Sequence, residues 1–216
     1  EMFTSGFTMH PKNIAEKMTG KTVLWMQRMA KKQRIALVGS LVIEENKNYY
    51  NRLLFVHPCG KTEWYDKKHA FTLAGEEKVY TPGSEKLIVT FKGWKICPLI
   101  CYDLRFPVWS RNVENYDVLI YVANWPIPRI QAWKALLKAR AIENMSFTIG
   151  VNRIGIDANK YEYSGDSSIL NYMGEELSTL KKNENGIIEA TLVKTEQDSI
   201  RERLGFLNDQ EAFKIL

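Results

Sequence analysis

The sequence predicts an α/β domain in which a sheet is covered by helices, and three observations predict it. Residues 116–123 form an apolar run broken only by Asp117, as expected of a parallel strand buried on both faces. Residues 129–145 carry a helical period, with Ile130, Trp133, Leu136, Leu137 and Ala141 on one side and Lys134, Lys138 and Glu143 on another. Further β-type runs at 94–100 and 147–152 bracket these two, and strand, helix, strand in that order is the pattern of crossover connections in a layered sheet. With 216 residues and 45% of them hydrophobic, the chain supports one large domain over 1–216 and is too short for two comfortable ones.

The elements are predicted in order as follows. Residues 2–8 read as a strand end running into a loop. Ile14, Met18, Leu24, Trp25 and Met29 recur at near-helical spacing, and with Gly20 as a break the helix falls at 21–33. A β-type run at 34–43, a polar tip at 44–48 and a second run at 50–56 make a hairpin, and the Pro58-Cys59-Gly60 turn leads to a third strand at 61–65. Residues 66–83 are polar without a clear period, a long loop of the kind that is uncommon unless functional. Strands follow at 86–91 and 94–100, then a helix start at 107–112, the apolar strand and long helix named above, and the strand at 147–152. The last strands are expected at 168–171 and, after the turn at 172–175, at 186–192. The charged tail, 197–216, is expected to pack on a partner chain.

Composition excludes several function classes. No run of eighteen apolar residues occurs and the start lacks the basic-then-apolar layout of a secretory signal, so a cytoplasmic protein without a membrane span is expected. Three cysteines, Cys59, Cys97 and Cys101, argue against a disulfide framework. His10, His57 and His69 have no ligand spacing, so neither a metal nor another cofactor is expected. The net charge of +5 is spread among acids, as in Glu76-Glu77-Lys78 and Lys181-Lys182-Asn183-Glu184, which reads as a solvated basic surface and not as a nucleic-acid site.

The stretch with chemistry in it is Trp94-Lys95-Ile96-Cys97-Pro98-Leu99-Ile100-Cys101-Tyr102-Asp103-Leu104-Arg105-Phe106-Pro107. An apolar strand stops at a cysteine and gives way to residues that suit a polar turn. Cys101 there is either a packed core thiol or a nucleophile at a cleft, whereas Cys97, four residues earlier inside the strand, reads as core.

Three separated stretches decide between those readings: Glu1-Met2-Phe3-Thr4-Ser5-Gly6-Phe7, Tyr65-Asp66-Lys67-Lys68-His69-Ala70-Phe71, and Ile100-Cys101-Tyr102-Asp103-Leu104-Arg105-Phe106-Pro107. In this order they resemble the glutamate, lysine and cysteine motifs of the nitrilase superfamily of carbon–nitrogen hydrolases. Tyr121-Val122-Ala123-Asn124-Trp125-Pro126 and Ala139-Arg140-Ala141-Ile142-Glu143-Asn144 are similar to its bacterial omega-amidase branch, the YafV type. The resemblance covers nearly the whole chain. It implies a four-layer α-β-β-α sandwich with two mixed sheets, a homodimer, and a family strand and helix before the glutamate that this sequence, opening at Glu1, does not contain.

The resemblance implies a catalytic Glu1, Lys67 and Cys101, and chemical logic agrees. A free cysteine is only a few per cent thiolate at neutral pH, so it needs a base or a cation nearby. No histidine partner is evident. Glu1 can take the thiol proton, while Lys67 and the backbone N–H of Tyr102 stabilise the oxyanion. Glu76 resembles a second family glutamate with an auxiliary positioning role. Lys68 and Glu77 remain rivals to Lys67 and Glu76 on sequence alone.

The branch implies hydrolysis of the terminal amide of small α-keto acids such as 2-oxoglutaramate and 2-oxosuccinamate. The alternative is another small amide, nitrile or N-carbamoyl substrate. A carboxylate-bearing substrate needs a cation, and Arg105 and Arg111 are the candidates, Arg105 equally being a structural anchor of the turn. Trp125 either walls the pocket or packs beneath Pro126.

Overall fold

The computed structural model describes residues 1–214; the last two residues of the expected tail, 215 and 216, lie outside the described residues. Helix α1 (Lys21–Gln33) comes first, as its period predicts, and its N-terminus is held by Glu16, whose carboxylate accepts the N–H (2.8 Å) and the hydroxyl of Thr22. A hairpin follows. Strands β1 (Leu37–Glu45) and β2 (Asn48–Val56) are joined by Asn46 and Lys47 at φ 51° and 65°, the turn geometry whose twist matches that of paired strands. Strand β3 (Thr62–Asp66) pairs with β2, giving an antiparallel three-stranded sheet, and Glu16 adds a parallel bridge to Ile43 at its β1 edge.

This sheet is apolar on both faces. Leu41, Ile43, Leu54 and Val56 pack on Val23, Met26 and Ala30 of α1, while Leu53 and Tyr65 join a second core that belongs to the larger sheet. The alternation along β2 therefore produces two interfaces from one strand.

The larger sheet is built around three parallel strands, β5 (Trp94–Ile100), β6 (Val118–Ala123) and β7 (Phe147–Asn152). Antiparallel β4 (Val89–Phe91) flanks one side, and β10 (Ser168–Leu170) with edge strand β11 (Glu176–Thr179) flanks the other. The single turn α2 (Pro107–Ser110) and the long α3 (Ile130–Asn144) lie in the crossovers. Trp133, Leu137 and Ala141 of α3 pack on the sheet, brought close by Gly150, where a Cβ would stand 2.4 Å from Leu137 Cδ1 and 2.9 Å from Trp133 Cζ2. The layers are thus α1, small sheet, large sheet, α3: the expected sandwich.

Several expectations are corrected. Residues 2–8 form a tight turn, with Met2 at φ 43° and the N–H groups of Ser5 and Gly6 on the Met2 carbonyl. Residues 186–192 make no strand; β11 occupies that edge of the sheet, Ile187 is 86% exposed, and β-propensity without a neighbouring strand forms no ladder. The polar residues 176–179 take the edge instead, where one face meets solvent. The hairpin of β8 (Ile154–Ile156) and β9 (Glu162–Ser164) has no counterpart in the sequence reading. In the tail, α4 (Lys194–Leu204) packs on its own chain. Gln197 donates to the carbonyls of Asp117 and Met145, and Arg201 to those of Tyr116 and Met145. Among the described residues, no helix is long and apolar enough to cross a membrane.

Candidate active site

Parallel strands point their carboxyl ends the same way, and in open α/β sheets ligands bind beyond those ends. Here Cys101 directly follows β5 and Asn124 directly follows β6. Cys101 sits at φ 43°, a left-handed conformation that costs a non-glycine residue energy and turns its side chain sharply out of the strand line. Asp103, wholly buried two residues on, holds that turn. Its carboxylate accepts the N–H of Ile100 (3.0 Å), the hydroxyl of Tyr65 (2.8 Å) and the N–H of His69 (3.0 Å), and contacts His69 Nδ1 at 2.8 Å. The His69 ring stacks on Phe106 at 3.6 Å. Tyr65 and His69 lie on either side of Lys67, so one carboxylate ties the lysine segment to the cysteine turn.

Lys67 follows β3 and is 3% exposed. Its ammonium donates to Glu1 Oε1 (2.9 Å) and to Glu76 Oε2 and Oε1 (2.8 and 3.1 Å), and both carboxylate side chains are 1% exposed. Glu76 lies in a short helical turn within the expected 66–83 loop, where it also accepts the Phe71 N–H at 2.6 Å. Glu1 accepts the Asn124 N–H at 3.0 Å, and the Asn124 amide donates to the Glu1 carbonyl at 2.8 Å. Asn51, from the middle of β2, donates to Glu1 Oε1 (2.9 Å) and Glu76 Oε1 (3.3 Å). It is itself oriented by the Ser40 hydroxyl, which in turn accepts the Met2 N–H.

Glu1, Lys67, Cys101, Tyr102, Arg105, Asn124, Trp125 and Arg129 line one cavity of about 600 Å³. With the glutamate, lysine and cysteine of three distant motifs converging there, the sequence pattern of the carbon-nitrogen hydrolases matches residues 1–201. The chain belongs to that family. It is an amide-hydrolysing enzyme, and three relatives frame it. The Omega-amidase YafV of Escherichia coli K12 is 42% identical over 216 residues, covering all of this chain and 84% of that protein. The 2-oxoglutaramate amidase of Bacillus subtilis strain 168 is 33% identical, covering 97% of this hydrolase and 82% of its own length. The crystal structure of XC1258 from Xanthomonas campestris, a CN-hydrolase superfamily protein with an arsenic adduct in its active site, superposes with a TM-score of 0.96 at 39% identity, over 100% of this chain and 84% of that one.

The rivals on sequence separate in the hydrolase's structure. Lys68 lies over the Trp109 ring and Glu77 is exposed, so Lys67 and Glu76 alone share the buried cluster. Arg105 lines the cavity, whereas Arg111 donates to the Glu143 carbonyl and does not. Trp125 walls the cavity, the first of its two expected places, and its ring packs 5.6 Å from Trp133. Cys97 is fully buried core. Asn51 and Arg129 were not singled out by the sequence reading. A polar side chain inside the apolar run 50–56 is a signal for Asn51, since buried amides need partners; nothing in the sequence marks Arg129.

Charge distribution follows from burial and contact. Burial raises the Cys101 thiol and the facing Glu1 carboxylate raises it further, so the thiol holds its proton. Burial pushes Glu1 upward too, but the Lys67 charge, the charge of its own α-ammonium and hydrogen bonds from Lys67 and Asn124 together outweigh it and hold Glu1 below its usual range. Burial opposes the Lys67 charge, yet Glu1 and Glu76 overcome it and keep the ammonium protonated. For Glu76, burial and the neighbouring Glu1 charge outweigh the pull of Lys67 and raise it.

Proposed function

We propose that this hydrolase cleaves the terminal amide of small α-keto acid ω-amides, 2-oxoglutaramate and 2-oxosuccinamate, to the dicarboxylate and ammonia through a thioester on Cys101. The observation that carries the reading is the convergence of Cys101, Glu1 and Lys67 on one cavity from three separate segments. A protonated thiol beside an ionised carboxylate sets the first step. Cys101 Sγ attacks the amide carbon as its proton passes to Glu1, and charge develops on the carbonyl oxygen. Lys67 and the Tyr102 N–H are the donors available to that oxygen.

Collapse of the tetrahedral species breaks the C–N bond, and Glu1 gives its proton to the leaving nitrogen, which departs as ammonia. Water then attacks the thioester while Glu1 takes a proton from it. The second tetrahedral species expels Cys101, which recovers the proton from Glu1. Glu76 holds Lys67 in place throughout. The relatives that act on ω-amides favour this substrate class.

The test is ammonia release across a panel of ω-amides of keto acids, simple nitriles and N-carbamoyl compounds, with Cys101→Ala as control. The reading expects the keto acid amides to be turned over best and the variant to lose all activity while its circular dichroism is unchanged. Preference for a nitrile or carbamoyl compound, or undiminished turnover by Cys101→Ala, would contradict it.

A further inference from the structure

We propose that Arg105 and Arg129 form a two-guanidinium clamp that selects amide substrates carrying a carboxylate at their far end; this rests on the ω-amide reading above. Both arginines line the cavity that contains Cys101. Arg105 lies over the Trp125 ring at 5.0 Å and Arg129 over the Phe71 ring at 5.2 Å. The Trp125 Nε1–H donates to the Arg129 main-chain carbonyl at 2.8 Å, which ties the indole beneath Arg105 to the Arg129 backbone. Contact with a ring face orients a guanidinium without using its in-plane N–H donors.

These two arginines line the cavity with those donors unspent, whereas four other arginines use theirs within the fold. Arg52 is forked onto Asp66 and reaches Glu45, Arg111 donates to the Glu143 carbonyl, Arg140 to the Leu104 carbonyl and Glu143, and Arg201 to Tyr116, Met145 and Asp117. Among the described residues, no carboxylate or carbonyl accepts from the side chain of Arg105 or Arg129. The acids that line the cavity are committed elsewhere. Glu1 is held by Lys67 and Asn124, and Asp157 accepts the Tyr163 hydroxyl and the N–H groups of Asn159 and Tyr161.

The uncommitted charge of the cavity is therefore positive and forked, the complement of a carboxylate. Position agrees with that. Arg105 is four residues beyond Cys101 on one short helical turn, which at about 2 Å of rise per residue separates their backbones by roughly 8 Å along its axis. A small amide attacked by Cys101 at one end thus has a cation within reach of the other.

The experiment compares kcat/KM for 2-oxoglutaramate with that for pentanamide, a neutral amide of the same chain length, in the wild-type chain and in Arg105→Gln, Arg129→Gln and Arg129→Lys. The clamp predicts that the ratio of the two falls about 10- to 100-fold in each glutamine variant, chiefly through KM, with Arg129→Lys between. Equal losses on both amides, or an unchanged ratio, would overturn it. If the wild-type chain fails to turn over 2-oxoglutaramate, the substrate reading falls by itself. The clamp is then read by calorimetry of 2-oxoglutarate binding to Cys101→Ala. A Kd at least tenfold weaker when either glutamine substitution is added supports it; an unaltered Kd, or no binding, ends it.

Discussion

Lys67 is one ammonium between two buried carboxylates, and that imbalance organises the site at the residue scale. Glu1 is held ionised and Glu76 takes up a proton more readily than an ordinary acid, a division that suits the proposed roles of base and brace. Asn51 touches both. Replacing it by Leu removes two charge-assisted hydrogen bonds from the carboxylates and leaves Ser40 without its acceptor. Of the two, the bond to Glu1 bears on the proposed base, and a bond of this kind contributes about 1.5–3 kcal/mol, so kcat is expected to fall about 10- to 100-fold with KM changed less, measured by steady-state ammonia release. The pH profile carries a second expectation. A base whose pKa is lowered from 4.5 stays competent until the pH falls below that value, so activity persists through mildly acidic pH and is lost only beneath it. On the alkaline side the raised thiol gives no gain near 9, the ordinary cysteine value. A rate that climbs through pH 9 would mean that free thiolate, and not a thiol–carboxylate pair, is the attacking species.

At the scale of elements, what was legible in the sequence depended on burial. Strands 94–100 and 147–152 and helix 21–33 match β5, β7 and α1 because each carries its own period and is bounded by turn residues. The failures share a cause. Residues 186–192 have a strand's composition but no neighbour to pair with, and β11 has a neighbour but a polar composition, so pairing was settled by long-range geometry. The three motif residues were legible through their resemblance, whereas Asn51 and Arg129 became visible only when β2 and the turn before α3 were brought to the cavity. Gly150 tests the packing between α3 and β7. Its substitution by Ala places a methyl against Leu137 and Trp133, both buried, which costs about 1–3 kcal/mol and lowers Tm by roughly 3–10 °C in a thermal melt. An unchanged Tm would show that α3 can move away without loss.

At the scale of the whole molecule, the site straddles two sheets. Cys101 and Asn124 end strands of the six-stranded sheet, while Asn51 and Lys67 come from β2 and the residue after β3 in the three-stranded one. The Asp103 links to Tyr65 and His69 stitch the sheets together beside the cysteine, and α4 is docked on the segments that begin β6 and β7, at their opposite ends. The approach of Lys67 and Asn51 to Cys101, and so of the proposed cation and the partner of the proposed base, is therefore set by sheet-on-sheet packing. The central claim is that this packing makes Cys101 the nucleophile. Peptide mass spectrometry after acid quench of a brief reaction with 2-oxoglutaramate tests it most directly: the account predicts an acyl group on the peptide carrying Cys101, and an acyl group elsewhere, or none while ammonia is being released, would contradict it.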